Sequence, residues 1–139
     1  MKQSLLIAIA VVALLVLTAA CSSKTGKVAN VIKTLKVDQL TATLSNNAGQ
    51  LQRGDQEVTL AFTDASGKPV DVGAVSLNFH MPQMGSMAAM NDAVSFATTS
   101  TPGTYRGKVN IEVGGEWQGQ LAFEGPAGKG KATFSVTAR

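Results

Sequence analysis

Residues 105–113, Tyr-Arg-Gly-Lys-Val-Asn-Ile-Glu-Val, alternate in character: Tyr105, Val109, Ile111 and Val113 share one parity, while Arg106, Lys108, Asn110 and Glu112 hold the other. Successive side chains of a strand point to opposite faces, so period two with one apolar face marks a strand half-buried on a core. The same alternation runs outward in both directions. Upstream, Leu40, Ala42 and Leu44 form one apolar set, and Val58, Leu60 and Phe62 a second. Val75, Leu77 and Phe79 make a third, and Val94 with Phe96 a fourth. Downstream come Trp117, Leu121 and Phe123, then Ala132, Phe134 and Val136. Asp64-Ala65-Ser66-Gly67 and Pro102-Gly103 supply turn chemistry between them. About seven such strands in roughly a hundred residues predict an all-β domain, an immunoglobulin-like β-sandwich. It occupies 37–139, with no repeat and no second domain.

The chain of 139 residues carries 12 Lys and Arg against 9 Asp and Glu, a formal charge of +3. So small an excess, without a Lys/Arg run, does not make a nucleic-acid footprint. One Cys and one His exclude an internal disulfide and a Cys-rich zinc site. No GxSxG, HExxH, phosphate-binding loop or paired-carboxylate motif is recognisable. The chain reads as a non-enzyme.

Lys2 precedes an apolar run from Leu5 to Ala20, which ends at Cys21. The run is shorter than the about twenty residues a membrane-spanning helix needs. A positive start, an apolar stretch and small residues before a cleavage point are the parts of a secretory signal, here residues 1–20. Leu17-Thr18-Ala19-Ala20-Cys21 looks like a bacterial lipobox, with Thr18 where Leu is usual, so Cys21 is the expected lipidation site. A plain signal cleaved before Cys21 and an uncleaved anchor are the alternatives. Residues 21–36 read as the lipidated Cys and a polar, lysine-bearing tether. Within it Val28, Val31, Ile32 and Leu35 fall at helical spacing and leave a short helix as an option, against their β-branched character. These features place a monomer at the cell envelope, on the periplasmic face of a membrane that it joins through lipid. Ser22 favours the outer membrane in a Gram-negative host.

One segment breaks the alternation. Residues 80–92 read His-Met-Pro-Gln-Met-Gly-Ser-Met-Ala-Ala-Met-Asn-Asp. Apart from Met1, every methionine is here, Met81, Met84, Met87 and Met90, together with the sole histidine, His80. Methionine used only to fill a core would be scattered among the strands. Thioether sulfur is a soft, uncharged donor that suits Cu(I) and holds zinc or calcium poorly. Pro82 and Gly85 argue against an α-helix. In a polyproline-like or 3₁₀ stretch, every third residue returns to one edge, so the spacing of three would present several sulfurs to one ion. By parity with Val75, Leu77 and Phe79, His80 points outward at a strand end, and Met81 points inward as the most core-like of the four. The bland readings are an apolar plug over one end of the sandwich, or an adaptable surface for a protein partner. Trp117 groups with the core set, the alternative being an indole cap on a metal ion. Asp92 reads as a solvated carboxylate, with auxiliary ligation as the alternative.

Thr63–Val70 (TDASGKPV), Met81–Met87 (MPQMGSM), Pro102–Tyr105 (PGTY) and Gly115–Trp117 (GEW) together resemble the YtkA-like / FixH-like domain family, over about Gln39 to Phe123. The MPxMGxM element is the specific part. The resemblance implies an exported immunoglobulin-like sandwich, often membrane-tethered. It also implies copper handling or maturation of copper-containing oxidases, and related domains accompany heavy-metal efflux components. It points to Met81, Met84 and Met87, which His80 and Met90 extend on chemical grounds. A lipobox-type signal stands where FixH proteins keep a transmembrane anchor. The expectation is a lipid-anchored protein that holds Cu(I) at the Met segment for delivery or sequestration, with a copper-handling protein of oxidase assembly or efflux as its partner. A structural or partner-binding module of an envelope complex, without metal, is the alternative.

Overall fold

A computed structural model describes residues 29–139. Nine strands follow one another: β1 (Asn30–Val37), β2 (Leu40–Asn46), β3 (Gly54–Thr63), β4 (Ala74–Met81), β5 (Met90–Ala93), β6 (Ser95–Thr98), β7 (Thr104–Ile111), β8 (Gly115–Gly125) and β9 (Gly128–Ala138). They make two antiparallel sheets, ordered β1-β2-β3-β7-β6 and β5-β4-β8-β9. The expected all-β sandwich is therefore present. Among the described residues no helix is long and apolar enough to cross a membrane.

The alternation read from the sequence decides what lies between the sheets. Val58, Leu60 and Phe62 of β3 are buried, as are Leu77, Phe79 and Met81 of β4 and Trp117, Leu121 and Phe123 of β8. Phe62 joins the two layers: its ring centroid lies 5.3 Å from that of Phe123 on the opposite sheet and 6.1 Å from that of Tyr105. Burying one such side chain is worth about 1.5–3 kcal/mol, and an edge-on aromatic pair about 0.5–1.5 kcal/mol beyond the area it hides.

Two strands exceed the expected seven. One is β5, the return limb of the Met segment. The other is β1, which the sequence read as tether with a short helix as an option. Residues 30–37 pair instead with β2 across a turn at Asp38-Gln39, where Asp38 takes a left-handed φ of 55°. Val37 is buried, and Ile32 and Leu35 pack on the core. The β-branched residues prevail because β2 offers an edge to pair with, which outweighs the helical spacing. The signal, Cys21 and the start of the tether lie outside the described residues.

Three cross-strand pairs join an aromatic ring to a glycine: Phe96 to Gly107, Phe134 to Gly119 and Phe123 to Gly130. A Cβ built on Gly119 would lie 2.2 Å from Cζ of Phe134. Each ring lies close against a backbone that has no side chain of its own and takes the space a Cβ would need.

Turn chemistry holds the edges. The Asp64 carboxylate accepts from the Ser66 hydroxyl at 2.6 Å, the Ser66 amide at 2.8 Å and the Lys68 amide at 3.0 Å. The Ser66 hydroxyl, more than the Lys68 amide, lowers its pKa below the usual 3.8. Gly103 adopts φ 78° with its Cα pressed on Val70, where a Cβ would sit 2.2 Å from the carbonyl oxygen. No other residue fits there.

Candidate functional site

The Met segment is the continuation of the β4–β5 hairpin. In the ladder Asn78 faces Ala93, Phe79 faces Asp92, His80 faces Asn91 and Met81 faces Met90. Beyond it Met84 faces Met87, with amide-to-carbonyl bonds in both directions at 3.2 and 2.9 Å. Gly85 and Ser86 form the two-residue turn, Gly85 carrying a left-handed φ of 56° at the first central position. That is the pattern of a type II′ hairpin, whose twist matches that of the strands it joins.

The spacing of three therefore does not lead to a single edge. The chain reverses at Gly85-Ser86, and the four methionines become two cross-strand pairs. Met81 and Met90 form the inner pair: Met81 is 3% exposed, and Met90 is half-buried against the core. Met84 and Met87 form the outer pair, at 58% and 46% exposed. A mutually hydrogen-bonded antiparallel pair holds its Cα atoms about 5.5 Å apart with both side chains on one face. Two flexible thioethers thus leave the hairpin tip side by side. One signal in the sequence would have found this: Met-x-x-Met-Gly-Ser-Met-x-x-Met is symmetric about a Gly-Ser dipeptide, a hairpin turn pair.

Met84 also lines a groove of about 250 Å3 with Pro82, Glu116, Gln118 and Ser135. Gln118 faces both His80 on β4 and Ser135 on β9, so this groove lies on the outer face of the sheet, the face that carries His80. The larger surface hollows, beside Phe123 and beside Phe96, contain neither Met nor His.

His80 is half-buried at the strand end, where parity placed it, and its Nδ1 lies 2.9 Å from Oδ1 of Asn91. Asn78 donates through Nδ2 to that same oxygen at 3.1 Å and to Gln120 Oε1 at 3.3 Å. The Asn91 oxygen is thereby an acceptor, so the proton of neutral His80 sits on Nδ1. Nε2 keeps its lone pair, the arrangement in which an imidazole is ready to act as a ligand.

Trp117 is 1% exposed and donates through Nε1 to the Val113 carbonyl at 3.1 Å, the core role expected of it. Asp92 differs from its reading as a solvated carboxylate. Paired opposite the inward Phe79, it is buried, and its Oδ2 accepts from the Glu112 amide at 3.2 Å. It ties the β7–β8 turn to the base of the hairpin, away from the face of His80. Among the described residues no three His, Cys, Asp or Glu side chains gather at one point. A binding site for a metal would draw on sulfur and one imidazole.

A two-layer β-domain that carries a thioether-tipped hairpin is the class this fold and site define. Residues 34–122 match the family model described as YtkA-like, and the chain belongs to the YtkA-like family. No curated protein and no solved structure matches the chain.

Proposed function

We propose that this YtkA-like domain is exported, anchored by lipid at Cys21 on the periplasmic face of an envelope membrane, and holds Cu(I) at the Met hairpin. Its role is delivery or sequestration, not catalysis, in partnership with a copper-handling protein of oxidase assembly or efflux. The observation that carries the reading is the exposed cross-strand pair Met84 and Met87, on a hairpin whose base adds Met81, Met90 and a histidine with a free Nε2. The lipobox-like sequence ending at Cys21 supports the anchor.

The donor chemistry fits a soft monovalent ion. Thioethers carry no charge and need lose no proton, so they bind Cu(I) across a wide pH range. Met84 and Met87 would supply the first two donors, with His80 as the third. Met81 and Met90 form the floor of the hairpin and join only if the base opens.

The test is a Cu(I) titration of the full-length chain in detergent, anaerobic and under reductant, against a chromophoric competitor. One equivalent should bind, and Met84→Leu/Met87→Leu should lose it while the far-ultraviolet spectrum stays unchanged. Failure of the wild type to compete would end the copper reading. A second reading rests on the same exposure: two adaptable apolar side chains on a projecting tip also suit a protein partner. Leucine preserves apolar volume and removes sulfur, so the double variant would retain such docking and lose only metal.

A further inference from the structure

The split of the methionines into an exposed outer pair and an inner pair packed on the core has a chemical consequence besides metal binding. Oxidation of methionine by peroxides requires the sulfur lone pair to reach the electrophilic oxygen, and susceptibility follows exposure. Met84 and Met87 meet that condition on the tip of the hairpin, and Met81 does not. The tip adds a second condition. Neither outer side chain is needed to fill the core, so both can change polarity without opening the fold.

We infer that Met84 and Met87 form a paired oxidation site, through which a peroxide converts the hairpin tip from a soft-donor to a hard-donor surface. In each step a sulfur lone pair attacks one peroxide oxygen. The S–O bond forms and the O–O bond breaks. Sulfur gives up two electrons, and the second oxygen leaves as hydroxide, which takes up the proton of the transferred oxygen and departs as water. The product sulfoxide offers a polar oxygen in place of the soft lone pair, so the pair loses its preference for Cu(I). Sulfoxide reductases that draw on thiol reductant reverse the change, which makes the tip a switch. The link to copper rests on the function proposed above; the oxidation site itself does not.

The experiment treats the full-length chain in detergent with graded hydrogen peroxide, quenches with catalase, and localises added oxygen by fragmenting the peptide that holds all four residues. Met84 and Met87 should gain oxygen roughly tenfold faster than Met81, as their accessibility dictates, with far-ultraviolet circular dichroism unchanged at the point where both are converted. Met84→Leu/Met87→Leu should abolish the fast phase. Equal rates for Met81 and Met84, a fast phase that persists in the double variant, or unfolding in step with the first oxidation would each overturn the inference. A parallel sample preloaded with Cu(I) separates the two proposals. Protection of the outer pair supports both. Site-selective oxidation with no protection by copper supports the oxidation site and refutes the copper one.

Discussion

Replacing Gly119 by alanine tests how this core is closed. The new Cβ would stand 2.2, 2.5 and 2.6 Å from Cζ, Cε2 and Cε1 of Phe134. Carbon atoms in contact prefer about 3.5–4.0 Å, so the ring has to rise by more than about 1 Å. Phe134 is only 8% exposed, and its lift disturbs the packing around it. Overpacking of this kind costs about 1–3 kcal/mol. At about 4–8 °C per kcal/mol for a domain of this size, the midpoint of thermal unfolding should fall by roughly 4–24 °C. Urea unfolding followed by circular dichroism and by the fluorescence of Trp117, the sole tryptophan, would measure it. The midpoint should shift with little change in slope, since the surface exposed on unfolding is the same. Phe134→Leu should be partly tolerated in the Gly119→Ala background, giving a coupling of at least about 0.5 kcal/mol between the two sites. A Gly119→Ala variant within about 0.5 kcal/mol of wild type, or strictly additive costs, would refute the ring-over-glycine account.

The two methionine pairs should separate by stability: Met81→Ala should cost about 2–5 kcal/mol, while Met84→Ala should stay within about 0.5 kcal/mol. Equal costs in urea unfolding would show that the pairs are not divided between core and solvent. Nitrogen-15 spectra of His80 should report the Nδ1–H tautomer, and Asn91→Ala should relax it towards a mixture; a wild-type Nε2–H form would contradict the hydrogen-bond assignment. Burial, with Asp71 alongside, holds the Tyr105 phenol above its ordinary 10.0. The unfolded chain then gives up this proton first, so stability is complete below pH 10 and declines as pH climbs towards the folded-state value. Tyr105→Phe should flatten that alkaline decline, and also remove the bonds to Asp71 at 3.2 Å and to Gly73 at 3.0 Å, for a loss of about 1 kcal/mol at neutral pH. An unchanged alkaline slope in the variant would assign the decline to other groups.

Much of this molecule was legible in order along the chain. Alternation at Val58-Leu60-Phe62, at Val75-Leu77-Phe79 and at Tyr105 to Ile111 specified strands and told which side of each faces the core, because strand periodicity is local and a register slip would turn every apolar residue outward. The same parity placed His80 outward, Met81 inward and Trp117 in the core. The concentration of the soft donors between His80 and Met90 needed no structure to be seen. What the sequence could not settle were the partners, since pairing across strands joins residues far apart in the chain. Residues 30–37 became a strand because β2 stood ready to accept them. Asp92 was buried because its neighbour across the hairpin is Phe79, and its charge is met by an amide of the β7–β8 turn. Gly107, Gly119 and Gly130 carry no mark in the sequence that sets them apart from turn glycines, and the fold makes them seats for three phenylalanine rings. A spacing of three said nothing of the reversal at Gly85-Ser86. That turn divides four equally spaced sulfurs into an inner pair packed on the core, Met81 buried and Met90 half-buried, and an outer pair that solvent can reach.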